Sequence, residues 1–309
     1  MLGSVIGALS DRMDSKFLTA YWLPAFVFVF GSLCTVGLSV GRRRLEAWIS
    51  DLDAVEQTLA VLMVVLLITM LAFTLRAVTR PITEIFAGMA LPAFVANPLR
   101  QGQVRAKHRA ALVLHEEMPT GALSAAQQEN AWLLSRFPTN DQNLKPTLFG
   151  NLLASVGEHP RIAYSMEGAI WWPRLSPLLP GSFQDTLGGA QAPMMALFNL
   201  SAVFSGLAFL AVMIGLVTRQ WLVAILACAC SLLLARLAYR AAVSQATEVA
   251  SMLRVAFDLY RFDILDQLGR AHPDDNADER ALWLSLTREV MGVKEPKPGS
   301  RPEGSPAPS

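Results

Sequence analysis

Charge is scarce in this sequence: Asp, Glu, Lys and Arg make up 17% of it, against 53% for the hydrophobic residues. Soluble globular chains carry about a quarter charged residues, so this balance points to a membrane protein with soluble parts. The net charge of +1 offers no bulk attraction to nucleic acid, and no block of like charges forms an interaction tail, so nucleic acid is not an expected partner.

Cysteine and histidine are nearly absent. Cys34, Cys228 and Cys230 all sit in apolar runs. Neighbours at i and i+2 on a helix point to roughly opposite sides, so Cys228 and Cys230 cannot bridge each other. That placement excludes a disulfide framework and a zinc knuckle. Of the four histidines, His115 with Glu116 lacks an i, i+4 partner, because position 111 is alanine. His108 and His115 supply two ligands at most, too few for a metal site. No G-x-S-x-G, P-loop or G-x-G-x-x-G occurs, and Glu158, Glu167 and Asp185 are too scattered to nominate as an acid/base pair. The expectation is therefore no catalytic residue, no metal site and no cofactor.

Long apolar runs are what the sequence does have. They fall at 21–41, 59–75, 194–217 and 221–235, and apolar residues surround each run instead of forming one stripe, as a spanning helix requires. Arg236 and Arg240 extend the fourth run by snorkelling to the interface. Only "TRQ" separates the third run from the fourth, which demands a tight hairpin. The expected fold is an all-α membrane protein with four transmembrane helices in two hairpins and a mostly helical cytoplasmic domain. Its boundaries read as an N-terminal segment 1–17, a first hairpin 18–79, a cytoplasmic helical region 80–193, a second hairpin 194–243, C-terminal helices 244–292 and a disordered Pro/Ser/Gly-rich tail 293–309.

The first run is too long for a signal peptide and lacks a cleavage signature, so it reads as an uncleaved helix, with "MLGSVIGALS" ahead of it as a short amphipathic piece. Two hairpins place the N-terminus, the middle region and the C-terminus on one side. That side holds Arg12, Lys16, Arg76, Arg80 and the basic run from Arg100 to Arg109, so the positive-inside rule puts it in the cytoplasm of a bacterial inner membrane. "GRRR" at 41–44 argues the other way.

In the middle region, Pro81 and "LPAFVANPLRQGQ" read as breaks after the second span, followed by helices at 103–117 and 124–137, the latter capped by Ser124. Lys145-Pro146 and Gly150-Asn151 read as punctuation, and "LGGAQAP" at 187–193 as relaxed chain before the third span. "WWPRLSPLLP" at 171–180 reads as an interfacial anchor, with Trp171, Trp172 and Arg174 in the headgroup layer and Trp22 and Trp221 as further interface residues. Packing inside the domain and a ligand site are the rival readings of this stretch. Asn199, Ser201 and Ser205 form the polar cluster of the third span, fit for helix packing or for a pore lining. Along 244–269, Val249, Leu253, Ala256, Tyr260, Ile264 and Leu268 mark one helical face that needs a partner, either the middle domain or another subunit. Arg254, Asp258, Arg261 and Asp266 lie mostly elsewhere on this helix. The final helix at 274–292 has acids in its first turn, as the dipole prefers.

"PTLFGNLLASVGEHPRIAYSMEGAIWWPRLSPLLP", "AFDLYRFDILDQLG" and "ERALWLSL" together resemble a family of bacterial integral membrane proteins, in which a GN element and a WPRL-x-PLLP element precede the second hairpin and an AFDLYRFD-type helix follows it. The resemblance covers roughly residues 145–286. Ala163 and Met166-Glu167 depart from the family pattern. It implies the four-helix architecture and carries no assigned activity. The sequence thus leads to a non-enzymatic integral membrane protein that acts as an anchored cytoplasmic sensor or scaffold, with its own copies in a homo-oligomer and a cytoplasmic protein as expected partners. A channel or pore-forming effector is the alternative. A membrane enzyme acting on lipid or envelope precursors, with His159, Arg161 and Arg174 as phosphate contacts, is the second alternative. The lipid bilayer is the expected environment.

Overall fold

The computed structural model describes residues 17–40, 53–116 and 125–292 of the chain. Among these residues there is no strand, and four helices are long and apolar enough to cross a membrane. The protein is an all-α membrane protein. The amphipathic reading of residues 1–10, the cap at Ser124 and the tail 293–309 lie outside the described residues.

The first span is α1, Leu23–Val40, entered through a π-helical turn at Leu18–Trp22. The second is α2, Ala54–Phe86, started by a capping box in which the Asp53 side chain accepts from the Val55 and Glu56 N–H groups and the Glu56 carboxylate accepts from the Asp53 N–H. Two helices follow outside the apolar runs, α3 (Ala93–Glu116) and α4 (Ala125–Leu134). Then come α5 (Leu148–Tyr164) and α6 (Gly168–Leu175), the long helices α7 (Gly181–Thr218) and α8 (Trp221–Gln267), and α9 (Asn276–Val290).

Proline does not end these helices where the sequence suggested it would. Pro81 lies inside α2, Pro98 inside α3 and Pro193 inside α7. "LPAFVANPLRQGQ" is therefore largely helix, and "LGGAQAP" belongs to α7. The cost of an internal proline is the orphaned carbonyl four residues back and the crowding against it. At Pro193 that residue is Gly189, which is exposed, so water can reach its carbonyl. Pro81 and Pro98 are themselves exposed.

Within the spans, α7 is the central element, packed against α1, α2 and α8. A buried apolar cluster joins Phe17, Ala25 and Val29 to Ile68, Ala72 and Leu75 of α2 and to Val203 and Leu207 of α7. Lipid is as apolar as a leucine side chain, so association here depends on close packing rather than on the hydrophobic effect. Small residues permit it. A Cβ added at Gly215 would lie 2.3 Å from the Ala224 Cβ across the α7–α8 hairpin, and one at Gly31 would lie 2.8 Å from Leu207. The "TRQ" turn closes with Arg219 in the left-handed region at φ 56°. Large apolar side chains such as Leu62, Met63, Met70 and Phe209 cover the outer surface.

α7 and α8 do not stop at the ends of their apolar runs. At about 1.5 Å per residue they measure about 57 and 70 Å, against about 30 Å of hydrocarbon. Their extensions form the frame of a helical head, together with α5, α6 and α9. Both hairpins return to the head at the same end, where Phe86 packs on Phe198 and Tyr239. One head core gathers Phe149, Leu152, Met194, Phe198, Val243, Ala246 and Val249; the other gathers Met166, Trp171, Leu175, Phe257, Ile264, Leu265 and Trp283. The apolar face of residues 249–264 thus has its partner within the chain, in α5, α6 and α7.

Gly150 and Asn151 form the first turn of α5 and are not punctuation. Thr147 caps that turn, its Oγ1 accepting from the Gly150 N–H at 3.0 Å. Asn151 is fully buried, accepts from the Lys145 N–H at 2.6 Å and donates to Gln103 Oε1 at 3.2 Å, tying α5 to α3. At Gly150 the backbone of α5 meets the end of α2 so closely that an added Cβ would stand 2.1 Å from the Ala87 carbonyl oxygen. We expect Gly150→Ala to push the head off the end of α2 and to cost about 1–3 kcal/mol or more. Faster proteolysis in the 87–92 connection of the detergent-solubilised chain would report it; an unchanged cleavage rate would show that the contact is slack.

Candidate functional site

Among the described residues the spans contribute no ionisable cluster, and two polar side chains of α7, Asn199 and Ser201, face other helices. Asn199 is completely buried and Ser201 nearly so. Asn199 Nδ2 donates to the Ala20 carbonyl at 2.8 Å, and the Ser201 hydroxyl donates to the Ala235 carbonyl at 2.9 Å. The first bond has a local cause. In a regular helix the Ala20 carbonyl would accept from residue 24, and Pro24 has no N–H to give. Asn199 supplies the missing donor from α7, at the level where α1 adopts its π-helical turn. The exposed Ser205 bonds its own helix, at the Ser201 carbonyl. Asn199 and Ser201 thus each bond a neighbouring helix within one copy of the chain, whereas Ser205 does not.

The interface residues separate into two groups. Trp221 is exposed, and Trp22 is half-buried and stacks on Phe26. Trp171 is not at the interface. It has no exposed surface, its ring meets Trp283 edge-on at 5.1 Å, and its Nε1–H donates to Thr287 Oγ1 at 2.9 Å. A ring with no exposed surface cannot meet a headgroup. Trp171, Leu175 and Leu179 are buried at a spacing of four, while Pro173, Pro177 and Pro180 are exposed. "WWPRLSPLLP" is a core segment that leads α6 through a 3-10 turn at Ser176–Leu178 into α7. Trp172 is half-buried against Phe257. Arg174 is exposed and donates back to the Ile170 carbonyl at 2.7 Å.

The strongest chemical cluster lies in the head, along the seam where α8 crosses α5 and α9. Arg254, Asp258 and Arg261 occupy successive turns of α8. They are not a solvated outer face, because each finds a partner on a neighbouring element. The Arg254 Nη2 donates to the Ser135 carbonyl at 2.6 Å and to Ser155 Oγ at 2.8 Å. Asp258 Oδ1 receives His159 Nε2 at 2.7 Å and the Tyr164 hydroxyl at 2.7 Å. Arg261 pairs with Glu279 of α9 at 2.6 Å, its guanidinium 4.0 Å from the Tyr164 ring centroid and 4.3 Å from that of Phe262. His159, a phosphate contact in the membrane-enzyme reading, here meets the Asp258 carboxylate. Arg161 stands 3.7 Å from Glu158.

Glu158 is buried at the edge of this seam. It accepts from the Thr139 N–H at 2.7 Å and from Asn143 Nδ2, which fixes the 137–144 segment on α5. Lys107 holds the same segment from α3, donating to the Pro138 and Thr139 carbonyls and to Asp141 Oδ1 at 2.6 Å. The Lys107 bond keeps the Asp141 carboxyl below the usual carboxylate range. Between the segment and α5 opens a cleft of about 400 Å³, lined by Leu134, Ser135, Phe137, Thr139, Ser155, Glu158, His159, Ile162, Ala163 and Arg254. Sequence reading missed it, because its walls come from three separate stretches. Among the described residues no group of three metal-ligating side chains occurs.

Burial, and then the bond to Asp258, push the Tyr164 hydroxyl up to about 12 from an ordinary 10.0. Both effects favour the neutral phenol. A folded value above the unfolded one means that the contribution to stability is complete below pH 10 and is lost as pH rises towards 12. The 295 nm absorbance step that Tyr164→Phe removes should therefore be centred near pH 12. A step at pH 10 would mean that the bond to Asp258 is not formed.

Fold and seam together define an integral membrane protein with four spans and a helical head built on continuations of its second hairpin. Beyond that class, no family model matches the chain, and neither the curated proteins nor the solved structures give a match.

Proposed function

We propose that this protein is a non-enzymatic, homo-oligomeric sensor or scaffold of a bacterial inner membrane, with both termini and the head in the cytoplasm. The observation that carries the reading is the continuity of α7 and α8, which run unbroken from the spans into the head. Helix α8 has no internal proline and can transmit a displacement at one end to the other, so occupancy of the head can reach the membrane and the membrane can position the head. The excess of Arg and Lys on the head side supports its cytoplasmic placement. The resemblance of residues 145–286 to bacterial integral membrane proteins supports the setting. The Asn199 amide N–H and the Ser201 hydroxyl are engaged by neighbouring helices, which supports an anchor over a pore.

Ion flux through liposomes holding the purified chain tests this reading, alongside its mass in detergent-free lipid discs. The expected result is a defined oligomer with no flux above empty liposomes. Robust flux that Asn199→Leu abolishes would replace the sensor by a channel.

A further inference from the structure

Arg254 is a cation whose hydrogen-bond partners are neutral. It is half-buried where the cleft is walled by Ser135, Ser155 and Ile162. Both hydrogens of its Nη2 are used, by the Ser135 carbonyl and the Ser155 hydroxyl. Those partners are neutral. The two nearby carboxylates are committed elsewhere: Glu158 to the Thr139 N–H and Asn143, Asp258 to His159 and Tyr164. Among the described residues, Arg254 has no ion-pair partner, whereas Arg261, about two helical turns further on, is paired with Glu279. Burial pulls the Arg254 guanidinium below its ordinary value, and the Asp258 charge offsets this only in part. A desolvated charge held by neutral groups is costly, and an arriving anion would remove that cost.

The rest of the cleft says what kind of anion fits. Leu134, Phe137, Ile162 and Ala163 make its walls apolar on either side of the guanidinium. At about 400 Å³ it lies at the small end of ligand sites. The Glu158 and Asp258 carboxylates flank the cation and would repel a second negative charge on the ligand, which favours a monoanion over a phosphate dianion. A guanidinium with unused N–H donors suits a carboxylate.

We propose that this cleft binds a small molecule with one carboxylate on an apolar stem, the carboxylate meeting the Arg254 donors that Ser135 and Ser155 leave free and the stem lying against Leu134, Phe137 and Ile162. The site deepens the sensor reading and rests on it. Ligand uptake would tie the 134–139 segment to α8, and α8 continues into the membrane.

The test is calorimetric titration of the full chain in lipid discs with 4-phenylbutyrate, phenyl phosphate and 4-phenylbutylamine. The carboxylate should bind, the phosphate more weakly and the amine not at all. Arg254→Gln should weaken phenylbutyrate binding at least about 10-fold, the loss expected for one charge-assisted hydrogen bond. Arg161→Gln, on an exposed cation of the same helix pair, should leave binding unchanged. Ala163→Phe fills the cleft while keeping Arg254, and should also abolish binding, so that misfolding of one variant does not decide the outcome. Phenylbutyrate affinity in Arg254→Gln or in Ala163→Phe equal to that of the unaltered chain, absence of carboxylate binding, or equal binding of the phosphate or the amine would overturn the proposal. Flux data decide the sensor reading separately, since a channel would conduct whether or not the cleft binds a carboxylate.

Discussion

Trp171→Ala should destabilise the head by about 3–5 kcal/mol, the range for removing a fully buried aromatic ring. The side chain has no exposed surface, stacks edge-on with Trp283 and satisfies the Thr287 hydroxyl. Its loss opens a cavity at the place where α6, α8 and α9 meet, and leaves a buried polar group without its partner. Chemical unfolding of the chain in lipid discs, followed by near-ultraviolet circular dichroism, would show the head transition at markedly lower denaturant. Trp172→Ala, on a half-buried ring, should cost clearly less. Equal effects of the two substitutions, accompanied by weaker membrane association, would restore the interfacial reading of this stretch.

Glu279→Ala should cost a comparable amount, about 3–5 kcal/mol, because it strips the partner from a buried cation. The Arg261 side chain is 14% exposed and the Glu279 side chain 6%. Glu279 also accepts from the Trp283 Nε1–H at 3.3 Å, so its removal reaches the aromatic pair that holds α9. Replacing both partners, Arg261→Met with Glu279→Leu, removes the unpaired charge together with the bond. The double variant should therefore be more stable than Glu279→Ala alone. If it is less stable, the pair contributes net stability, and the strength of the seam lies in its charges.

The spans were legible in the sequence because length and uniform apolarity suffice to specify a membrane helix. Two kinds of information were not. Trp171 was misplaced because tryptophan next to a span suits headgroups and cores alike; the spacing of Trp171, Leu175 and Leu179 was the signal that favoured burial. The seam was hidden for another reason. Arg254, Asp258 and Arg261 look like the wet face of an amphipathic helix until Ser155, His159, Tyr164 and Glu279 arrive from distant stretches of the chain, and a single sequence carries no record of that pairing. Proline misled at Pro193, where the carbonyl four residues back, that of Gly189, is on an exposed residue that water can reach.

The account stands on α8 being one unbroken helix from the membrane to the head, and a distance between two spin labels tests this most directly. With Cys34, Cys228 and Cys230 replaced by alanine, labels would be placed at the exposed positions Leu222 and Leu259 and measured by pulsed dipolar spectroscopy in lipid discs. A single narrow peak near about 55 Å, the length of continuous helix at about 1.5 Å per residue, is the predicted result. A broad distribution, or a peak well short of that length, would mean that α8 bends between membrane and head, and would contradict the coupling on which the proposed function depends.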